Sequence, residues 1–371
     1  MKFRVGTYNV NNLFERSAVM QLEGFSVDAA EILGDVARLN ELLEENSYKD
    51  AVGQEIVSLL EKYQLHKDLP TRWFSIVEVR KKLFSRKQDG SGVNLVAKGR
   101  NSWLGWVELT RETVQETSTE NTARVIREVQ ADILCLVEVE SRPTLQRFNE
   151  VLLEAFKARF KYNLLVDGND QRGIDVGILS NYPIRSVRSH IHDTYKAANG
   201  RVYEIFSRDC AEYEVLLPQD KVCWVLCNHF KSKGYGSQRS SDAKRARQAK
   251  RVKQILSRFD LAQELVVVAG DLNDTPDSPP LQHLLQTNDL IDALGSPKLQ
   301  GPRWTYQDGA NQIDYLLVSK ALFQKLAAVG IERRGIYSRD DFDGQFPHFP
   351  EVDGKVSQAS DHAAVWAEFD V

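Results

Sequence analysis

Residues 265–280 read LVVVAGDLNDTPDSPP, and this stretch decides the fold. It begins with five apolar residues, mostly β-branched, which predict a strand that is buried on both faces. Gly270 ends the apolar run, and Asp271, Asn273 and Asp274 follow it. A buried strand that ends in this way holds a carboxylate and an amide rigidly at the edge of a sheet. The alternative on this stretch alone is an ordinary Asx-rich turn, because Asp and Asn are common turn residues.

Five other apolar segments carry polar residues of the same kinds. The polar residues and their segments are Asn9 and Asn11 after residues 3–8, Glu138 after 133–137, His229, Lys231 and Lys233 after 222–227, Asp314 within 312–318, and Asp361 and His362 before 363–366. Six strands that each deliver Asn, Asp, Glu or His predict one site that is assembled from many parts of the chain.

The composition is that of a globular protein and gives no overall nucleic-acid signature. The chain has 371 residues, a net charge of -4 and 42% hydrophobic residues, so any basic surface must be local. The four cysteines lack the paired spacing of a zinc site and are expected to be reduced. No signal-like segment precedes the first strand, and no apolar stretch is long enough to span a bilayer. We therefore expect a cytoplasmic protein with no obligate protein partner.

Strands and helices alternate in two broad rounds, which predicts one α/β domain over residues 1–371 with two stacked sheets and helices outside. Residues 15–116 interrupt this alternation. They are expected to form an inserted subdomain of two helices and a β-hairpin, with the hairpin near residues 74–96 and a further strand at 103–109. We expect Trp73, Trp103 and Trp106 to be buried anchors rather than a binding face. A strand is also expected near Trp304.

The polar set suits metal-dependent phosphodiester hydrolysis. Oxygen ligands fit a hard cation such as Mg²⁺, with Mn²⁺ as an alternative, better than they fit zinc. Hydrolysis needs a positioned water, charge stabilisation at the phosphate oxygens and help for the leaving oxygen. Asp271 with Asn273 is the candidate for holding and deprotonating the water. His362, oriented by Asp314, is the candidate donor to the phosphate, and Glu138 is the candidate metal ligand.

Seven ordered motifs then carry a resemblance to a known family. They are TYNVNNLF, DILCLVEVE, GIDVGILSNYPI, NHFKSKG, GDLNDTPDSPPL, QIDYLLVS and SDHAAV. Together they resemble the endonuclease/exonuclease/phosphatase superfamily of metal-dependent phosphoesterases, over nearly the whole chain except the insertion. The resemblance implies a four-layer α/β/β/α sandwich, with two stacked mixed sheets, helices outside and the site at one rim.

The resemblance also implies roles for individual residues. It makes Glu138 the principal metal ligand, with Asn9 and Asp361 beside the metal. Asp271 and Asn273 then act on water and phosphate, Asp314 pairs with His362, and His229 contacts the phosphate. Asn11 stands where relatives often have Asp or Glu, which weakens any second metal position.

The substrate is predicted from basic residues near these motifs. Arg172, Lys231 and Lys233 are candidate phosphate-binding residues. The alternative interpretation of Arg172 is an ordinary surface arginine. Nine basic residues lie between 231 and 253, where Asp242 is the one acidic residue. Such a one-sided stripe favours binding of a polyanion. We expect a nuclease acting on DNA by direct attack of an activated water. The alternatives are a phosphatase or phosphodiesterase on a small substrate such as a phosphoinositide, sphingolipid head group or nucleotide, and a catalytically silent binding module.

Overall fold

The structure is a computed structural model that describes residues 1–11, 13, 27–67, 73–110, 116–170, 173–233, 237–287, 289–307, 309–337 and 347–371. The chain divides into two compact units. The main unit comprises Met1–Phe14 and Gln115–Val371, and the small unit comprises Glu15–Val114. Among the helices of the described ranges, none has both the length and the apolar character needed to cross a bilayer.

The regular elements of the described residues are numbered in chain order. The strands are β1 (Lys2–Asn9), β2 (Phe74–Arg80), β3 (Phe84–Arg86), β4 (Val93–Leu95), β5 (Leu104–Leu109), β6 (Ile133–Val139), β7 (Tyr162–Leu165), β8 (Asp175–Ser180), β9 (Ile184–Arg188), β10 (Thr194–Lys196), β11 (Val202–Glu204), β12 (Cys210–Leu216), β13 (Val222–His229), β14 (Leu265–Asp271), β15 (Leu290–Asp292), β16 (Asp314–Ser319), β17 (Leu326–Glu332) and β18 (Ala364–Asp370). The helices are α1 (Val27–Leu43), α2 (Asp50–Lys62), α3 (Glu116–Val129), α4 (Arg142–Arg147), α5 (Gln238–Leu256), α6 (Gln282–Leu285) and α7 (Lys320–Phe323).

The main unit is built on two six-stranded sheets. Their strand orders are β17-β18-β1-β6-β8-β7 and β15-β16-β14-β13-β12-β9. In each sheet one central pair is parallel, β1 with β6 and β13 with β14. The neighbours of these pairs are antiparallel, so both sheets are mixed.

Three hydrophobic cores show how the layers of the main unit stack. The central core contains Val5 and Ile133 of the first sheet together with Val225 and Val267 of the second. A second core joins the other face of the first sheet to α3, and a third joins the other face of the second sheet to α5 and α6. The strands of both parallel pairs are therefore buried on two faces, which is why they read as unbroken apolar runs. The predicted fold class of two stacked mixed sheets with helices outside is confirmed.

The small unit has its own core, in which α1 and α2 pack with residues of β2 and β4. The predicted hairpin near residues 74–96 is wrong in its extent. Only β3 and β4 form a hairpin, whereas β2 pairs with β5. A turn at Lys81, with φ 61°, separates β2 from β3, and the Leu83 amide donates to the Glu78 carboxylate across that turn.

The tryptophans of the small unit differ in burial. Trp103 is buried, and its indole N–H donates to the Tyr48 hydroxyl at 2.8 Å. Trp106 is 49% exposed, so the prediction that it is a buried anchor is wrong. It lies on β5, whose side chains alternate between a covered and an open face, because a two-stranded sheet packs on the core with one face only. The strand expected near Trp304 is also wrong, since the residues described there, up to 307, form an isolated bridge from Tyr306 to His362 and no strand.

Candidate active site

The topology brings the polar strand ends to one rim of the main unit. The parallel strand β1 ends at Asn9, which pairs with Val137 of β6, and Glu138 is the next residue of β6, one before the end of that strand. The parallel strands β13 and β14 end at the paired residues His229 and Asp271. The antiparallel strand β16 begins at Asp314, directly opposite Asp271.

Unusual backbone conformations aim several of these side chains. Glu138 has φ 67°, and the pairing of β6 with β8 shifts register between Val137 and Val139. This bulge turns the Glu138 side chain away from the regular alternation of the strand. Asn273 has φ 54°, just beyond the end of β14. Non-glycine residues in this region cost on the order of 1–3 kcal/mol each and are concentrated at functional sites.

Asp314 and His362 form a buried pair. The Nδ1 atom of His362 lies 2.9 Å from the Oδ2 atom of Asp314, and both side chains are buried. The hydroxyl of Thr305 accepts the Asp314 amide, and the hydroxyl of Ser360 accepts the His362 amide. These contacts hold both partners in place and direct the Nε2 atom of His362 into the site.

The charge of His362 depends on its acidic neighbours. Burial alone would lower the pKa of His362, but Asp314, by charge and hydrogen bond, and the nearby Asp271 and Asp361 outweigh it. The pKa of His362 is therefore raised well above its ordinary value. The raised pKa favours the imidazolium form, in which the Nε2 atom is a donor.

Asp271 is the centre of a hydrogen-bond network. Its carboxylate accepts the backbone N–H of Asn273 at 2.8 Å and the Asn273 side-chain amide at 3.0 Å. The Asn9 amide donates to the same carboxylate at 3.3 Å and lies 3.5 Å from the Nε2 atom of His362. Burial raises the pKa of Asp271 to about 7, with further increases from Asp314 and Glu138 and an opposing effect of His362.

His229 lies between the two acidic parts of the site. Its Nε2 atom is 3.7 Å from Asp271 Oδ2 and 3.8 Å from Glu138 Oε1. The Nε2 atom of His362 is 4.0 Å from Asp361 Oδ1. Burial and the charge of Asp361 both raise the pKa of Glu138. Eight predicted residues are thus brought together: Asn9, Glu138, His229, Asp271, Asn273, Asp314, Asp361 and His362.

Two groups of side chains offer ligand atoms for a divalent cation. Glu138 and Asp361 are carboxylates that repel each other across the site, and a hard cation between such oxygens offsets the repulsion. The ligand atoms of Asp271, Asp314 and His362 also lie within 4.8 Å of one another. A cation bound by all three would compete for the 2.9 Å contact between Asp314 and His362.

Other predicted residues occupy less direct positions. The Asn11 backbone N–H donates to the Asn9 side-chain oxygen at 3.0 Å, so Asn11 helps to orient that amide. The Lys231 ammonium donates to the Ser232 carbonyl, and the Lys233 ammonium lies 2.8 Å from Asp274. Arg172 lies outside the described residues.

Three residues of the basic stripe, Lys233, Arg245 and Arg251, form ion pairs within the protein, so the stripe is less one-sided than expected. Arg245 is fully buried and bonds to Asp274 and Asp242. Arg251 pairs with Asp193 at 2.7 Å. The sequence could not reveal these partners, because Asp193 and Asp274 lie far from the helix in the chain.

Two residues near the site were not among the predicted site residues. The Arg208 guanidinium is buried and donates to the Phe230 carbonyl at 3.2 Å, the same oxygen that accepts the Asn273 amide. The Tyr306 ring contacts the His362 ring edge-on, with centroids 5.1 Å apart. For Tyr306 the only signal was its position eight residues before Asp314, which does not by itself indicate a site.

A sequence model of the Endonuclease/Exonuclease/phosphatase family matches residues 114–362, which contain all of the site except β1 and its end. The chain belongs to this family. Members of the family are phosphoesterases and typically depend on a divalent metal ion, so the protein is a phosphoesterase. No curated protein matches the chain.

Several solved structures resemble this member of the family at low sequence identity. A mannosyl-6-phosphatase from Bacteroides thetaiotaomicron is 11% identical, with 69% of this chain and 92% of that chain covered and a TM-score of 0.48. Truncated TDP2 from Caenorhabditis elegans is 18% identical, with 69% and 92% covered and a TM-score of 0.44. The beta toxin of Staphylococcus aureus is 17% identical, with 67% and 92% covered and a TM-score of 0.43.

Proposed function

We propose that the protein is a Mg²⁺-dependent phosphodiesterase that cleaves its substrate by direct attack of water, without a covalent intermediate. One observation carries this proposal. A buried Asp314–His362 pair and the Asp271 carboxylate converge on the same small volume, with His362 Nε2 only 3.9 Å from Asp271 Oδ2. A charged donor and a carboxylate base are thereby held side by side, which is an arrangement suited to general acid–base catalysis of hydrolysis.

Asp271 is the proposed general base. A pKa near 7 matches the operating pH, where a base both exists in its ionised form and accepts a proton efficiently. Asn273 donates to both oxygens of the carboxylate and so fixes the direction of the lone pair that faces the water. Asn9, which also contacts Asp271, restrains the carboxylate from the neighbouring sheet.

His362 is the proposed donor to a phosphate oxygen. Because Asp314 keeps the ring charged and oriented, the Nε2–H bond stabilises negative charge that develops in the transition state. His229, 3.7 Å from Asp271, is the proposed second phosphate contact. Arg172, Lys231 and Lys233 remain candidates for holding the substrate.

Glu138 and Asp361 are the residues proposed to hold the cation, with Asn9 and Asn11 as further candidates. When bound there, a divalent cation supplies Lewis acidity at the phosphate oxygens. The bulge at Glu138 fits this role, because it fixes the carboxylate at the rim at the expense of regular strand geometry. Oxygen donors favour Mg²⁺, with Mn²⁺ as the alternative.

DNA is the substrate we propose first, because phosphodiester cleavage at this rim would place the strand along the exposed parts of the basic helix. Arg239, Lys250 and Lys253 are the exposed basic residues of α5. A small phosphorylated substrate is the second candidate. It is favoured by the internal pairing of Arg245 and Arg251, which removes much of the charge that a long polyanion would meet.

The test is a nicking assay on supercoiled plasmid run beside a panel of small phosphate esters. The purified chain is assayed with Mg²⁺, with EDTA, as Asp271→Asn, and as Asp289→Asn, which makes the same chemical change at an exposed aspartate. We expect Mg²⁺-dependent turnover that is lost in Asp271→Asn and retained in Asp289→Asn. Plasmid cleavage assigns DNA, turnover of the panel alone assigns a small substrate, and turnover of neither contradicts the proposal.

A further inference from the structure

A two-stranded ribbon, formed by β10 and β11, stands outside the two large sheets of the main unit. In this ribbon Tyr195 lies directly opposite Tyr203. The ladder continues by one bond toward the tip, where the Ala197 N–H donates to the Arg201 carbonyl at 2.8 Å. Because side chains alternate along a strand, Tyr195, Ala197, Arg201 and Tyr203 share one face, which is named the aromatic face here.

The ribbon is held along helix α5 at two points. Asp193, just before β10, pairs with Arg251 at 2.7 Å. The Arg247 guanidinium lies 4.2 Å from the centroid of the Tyr195 ring. Arg247 and Arg251 are four residues apart, so both lie on the side of α5 that meets the ribbon. The aromatic face therefore borders α5 at Arg247.

Tyr195 is in contact with both Arg247 and Tyr203. The centroids of the two tyrosine rings are 5.8 Å apart, and the ring planes are inclined by 29°. Tyr203 is the exposed member of this group, with 38% of its surface accessible. An exposed ring that is supported from behind by a second ring offers a flat surface on which a planar group can stack.

The aromatic face carries cations and no carboxylate. Arg201 lies on it and Arg247 borders it, and neither guanidinium forms a hydrogen bond or ion pair with any residue in the described ranges. Glu204 belongs to the opposite face by alternation, and Asp193 is already paired with Arg251. A tyrosine ring beside two guanidinium groups suits a nucleobase that is attached to phosphates.

One side chain fixes both ends of the ribbon. The Asn169 amide donates to the carbonyl of Ile191, before the ribbon, at 2.7 Å. It also donates to the carbonyl of Phe206, after the ribbon, at 3.2 Å. The loop that contains Asn169 therefore determines where the ribbon joins the main unit.

The same loop is fixed beside the candidate active site. The N–H of Gly168, the residue before Asn169, donates to the Asp175 carboxylate at 2.8 Å. Asp175 pairs across the sheet with Val139, which directly follows Glu138. The ends of the ribbon therefore lie at the rim that carries Glu138, the proposed metal ligand.

We propose that the aromatic face and Arg247 bind a single-stranded segment of nucleic acid, with one nucleobase stacked on Tyr203 and phosphate groups on Arg201 and Arg247. This inference rests on the proposed function, because it assigns the surface to the substrate of that same site. Stacking selects a strand with unpaired nucleobases, since a nucleobase inside a duplex does not offer its flat face to a side chain.

The first experiment measures binding without hydrolysis. Fluorescein-labelled oligothymidylate, the same strand with abasic sugars, and its duplex with oligoadenylate are titrated in EDTA, with fluorescence anisotropy as the readout. The variants are Tyr203→Leu, Tyr203→Phe and Tyr162→Leu. Tyr162 is the matched control, because it is 40% exposed and pairs with Ser180, at the end of β8 opposite to Asp175.

Tyr203→Leu should weaken binding of oligothymidylate about tenfold, the loss of one contact between a nucleobase and an aromatic ring, and should leave binding of the abasic strand unchanged. Tyr203→Phe and Tyr162→Leu should keep the wild-type affinity, and the duplex should bind more weakly than the single strand. Equal affinity of Tyr203→Leu and wild type for oligothymidylate overturns the proposal. An equal loss on both single strands, or a duplex that binds as tightly as the single strand, also overturns it.

Two comparisons separate this proposal from its alternatives. Phosphatidylserine vesicles are titrated in parallel, and Tyr203-dependent binding to the vesicles but not to the strand assigns the face to a membrane surface and overturns the proposal. Because the titrations need no catalysis, strand binding through Tyr203 in a protein that hydrolyses no phosphoester supports this surface and contradicts only the proposed function. Turnover of phosphoesters by a protein in which Tyr203→Leu binds the strand normally does the reverse.

The second experiment tests the phosphate contact of Arg247. The dependence of the oligothymidylate binding constant on salt concentration is measured for wild type, Arg247→Gln and Lys320→Gln. Lys320 is an exposed lysine that follows β16, at the opposite end of that strand from Asp314. Loss of one phosphate contact should reduce the slope of the logarithmic plot by about 0.7 in Arg247→Gln, whereas Lys320→Gln should keep the wild-type slope. An unchanged slope in Arg247→Gln overturns the proposed role of Arg247.

Discussion

Replacing Asp314 by Asn tests the origin of the charge on His362. The substitution keeps the shape of the side chain and removes its charge, while the 2.9 Å contact with His362 Nδ1 becomes a neutral hydrogen bond. Burial has the largest effect on the pKa of His362 and disfavours the imidazolium, and without the Asp314 charge this effect is opposed less strongly. We therefore expect the pKa of His362 to fall.

The size of the effect follows from the contact that is lost. A hydrogen bond to a charged group contributes about 1.5–3 kcal/mol, which corresponds to a fall of about one to two units in the pKa of His362. The pKa of His362 in the folded protein is raised above its unfolded value, so the pair stabilises the fold fully below about pH 6.5. This stability is lost as pH rises through the folded pKa. Asp314→Asn should therefore cost about 1.5–3 kcal/mol at pH 6 and less in alkaline solution.

The assay is an NMR titration of the chain labelled with ¹³C-histidine. The protein has seven histidines, and the spectrum of His362→Gln assigns the resonance of interest. Urea unfolding at pH 6 and at pH 10 gives the stability difference. A His362 pKa that is the same in wild type and Asp314→Asn, or a stability cost that does not decline with pH, would refute the reasoning.

Three further substitutions test other parts of the site and fold. Glu138→Gln should weaken Mn²⁺ binding, measured by electron paramagnetic resonance, and lower Mg²⁺-dependent turnover at least about 100-fold. An unchanged Mn²⁺ affinity would show that Glu138 is not a metal ligand. Burial raises the pKa of Asp175 from 3.8 to about 7. Ionisation of this carboxyl therefore lowers the free energy of unfolding as pH rises through that interval, by about 4 kcal/mol in total at about 1.4 kcal/mol per pH unit. Asp175→Asn should accordingly be more stable than wild type at pH 8 and equal to it at pH 3, and urea unfolding that shows no pH-dependent gain would contradict this. Gly270 has φ 137°, and an added Cβ would lie 1.8 Å from the Asn228 carbonyl oxygen, so Gly270→Ala should lower the free energy of unfolding by about 3 kcal/mol or more. A loss below about 1 kcal/mol would show that the backbone there adapts.

The periodicity of the chain was sufficient to predict the layers. The apolar run of β14 and its counterparts in β1, β6 and β13 read as buried strands because both of their faces are covered. Polar residues at their ends were expected to meet, and the parallel pairing of neighbouring strands brings those ends to one edge. The residue types made Asp314 a candidate partner of His362 and the resemblance to the family implied the pair, although 48 residues separate them in the chain.

Other features depend on long-range contacts that local patterns do not encode. The positive φ of Glu138 arises at a bulge between β6 and β8, and the apolar run of β6 does not predict that bulge. The partners of Arg245 and Arg251 come from distant loops, so charge spacing along α5 could not distinguish paired from exposed cations. Trp106 was misjudged because the covered face of a two-stranded sheet depends on which helix packs against it.

The most direct test of the central claim is the stereochemical course at phosphorus. A phosphodiester analogue with a chiral phosphorothioate centre is hydrolysed in H₂¹⁸O by the Mg²⁺-loaded protein, and the configuration of the product is read by ³¹P NMR. Direct attack of a water activated by Asp271 predicts inversion. Retention would require a covalent intermediate on the protein and would contradict the account.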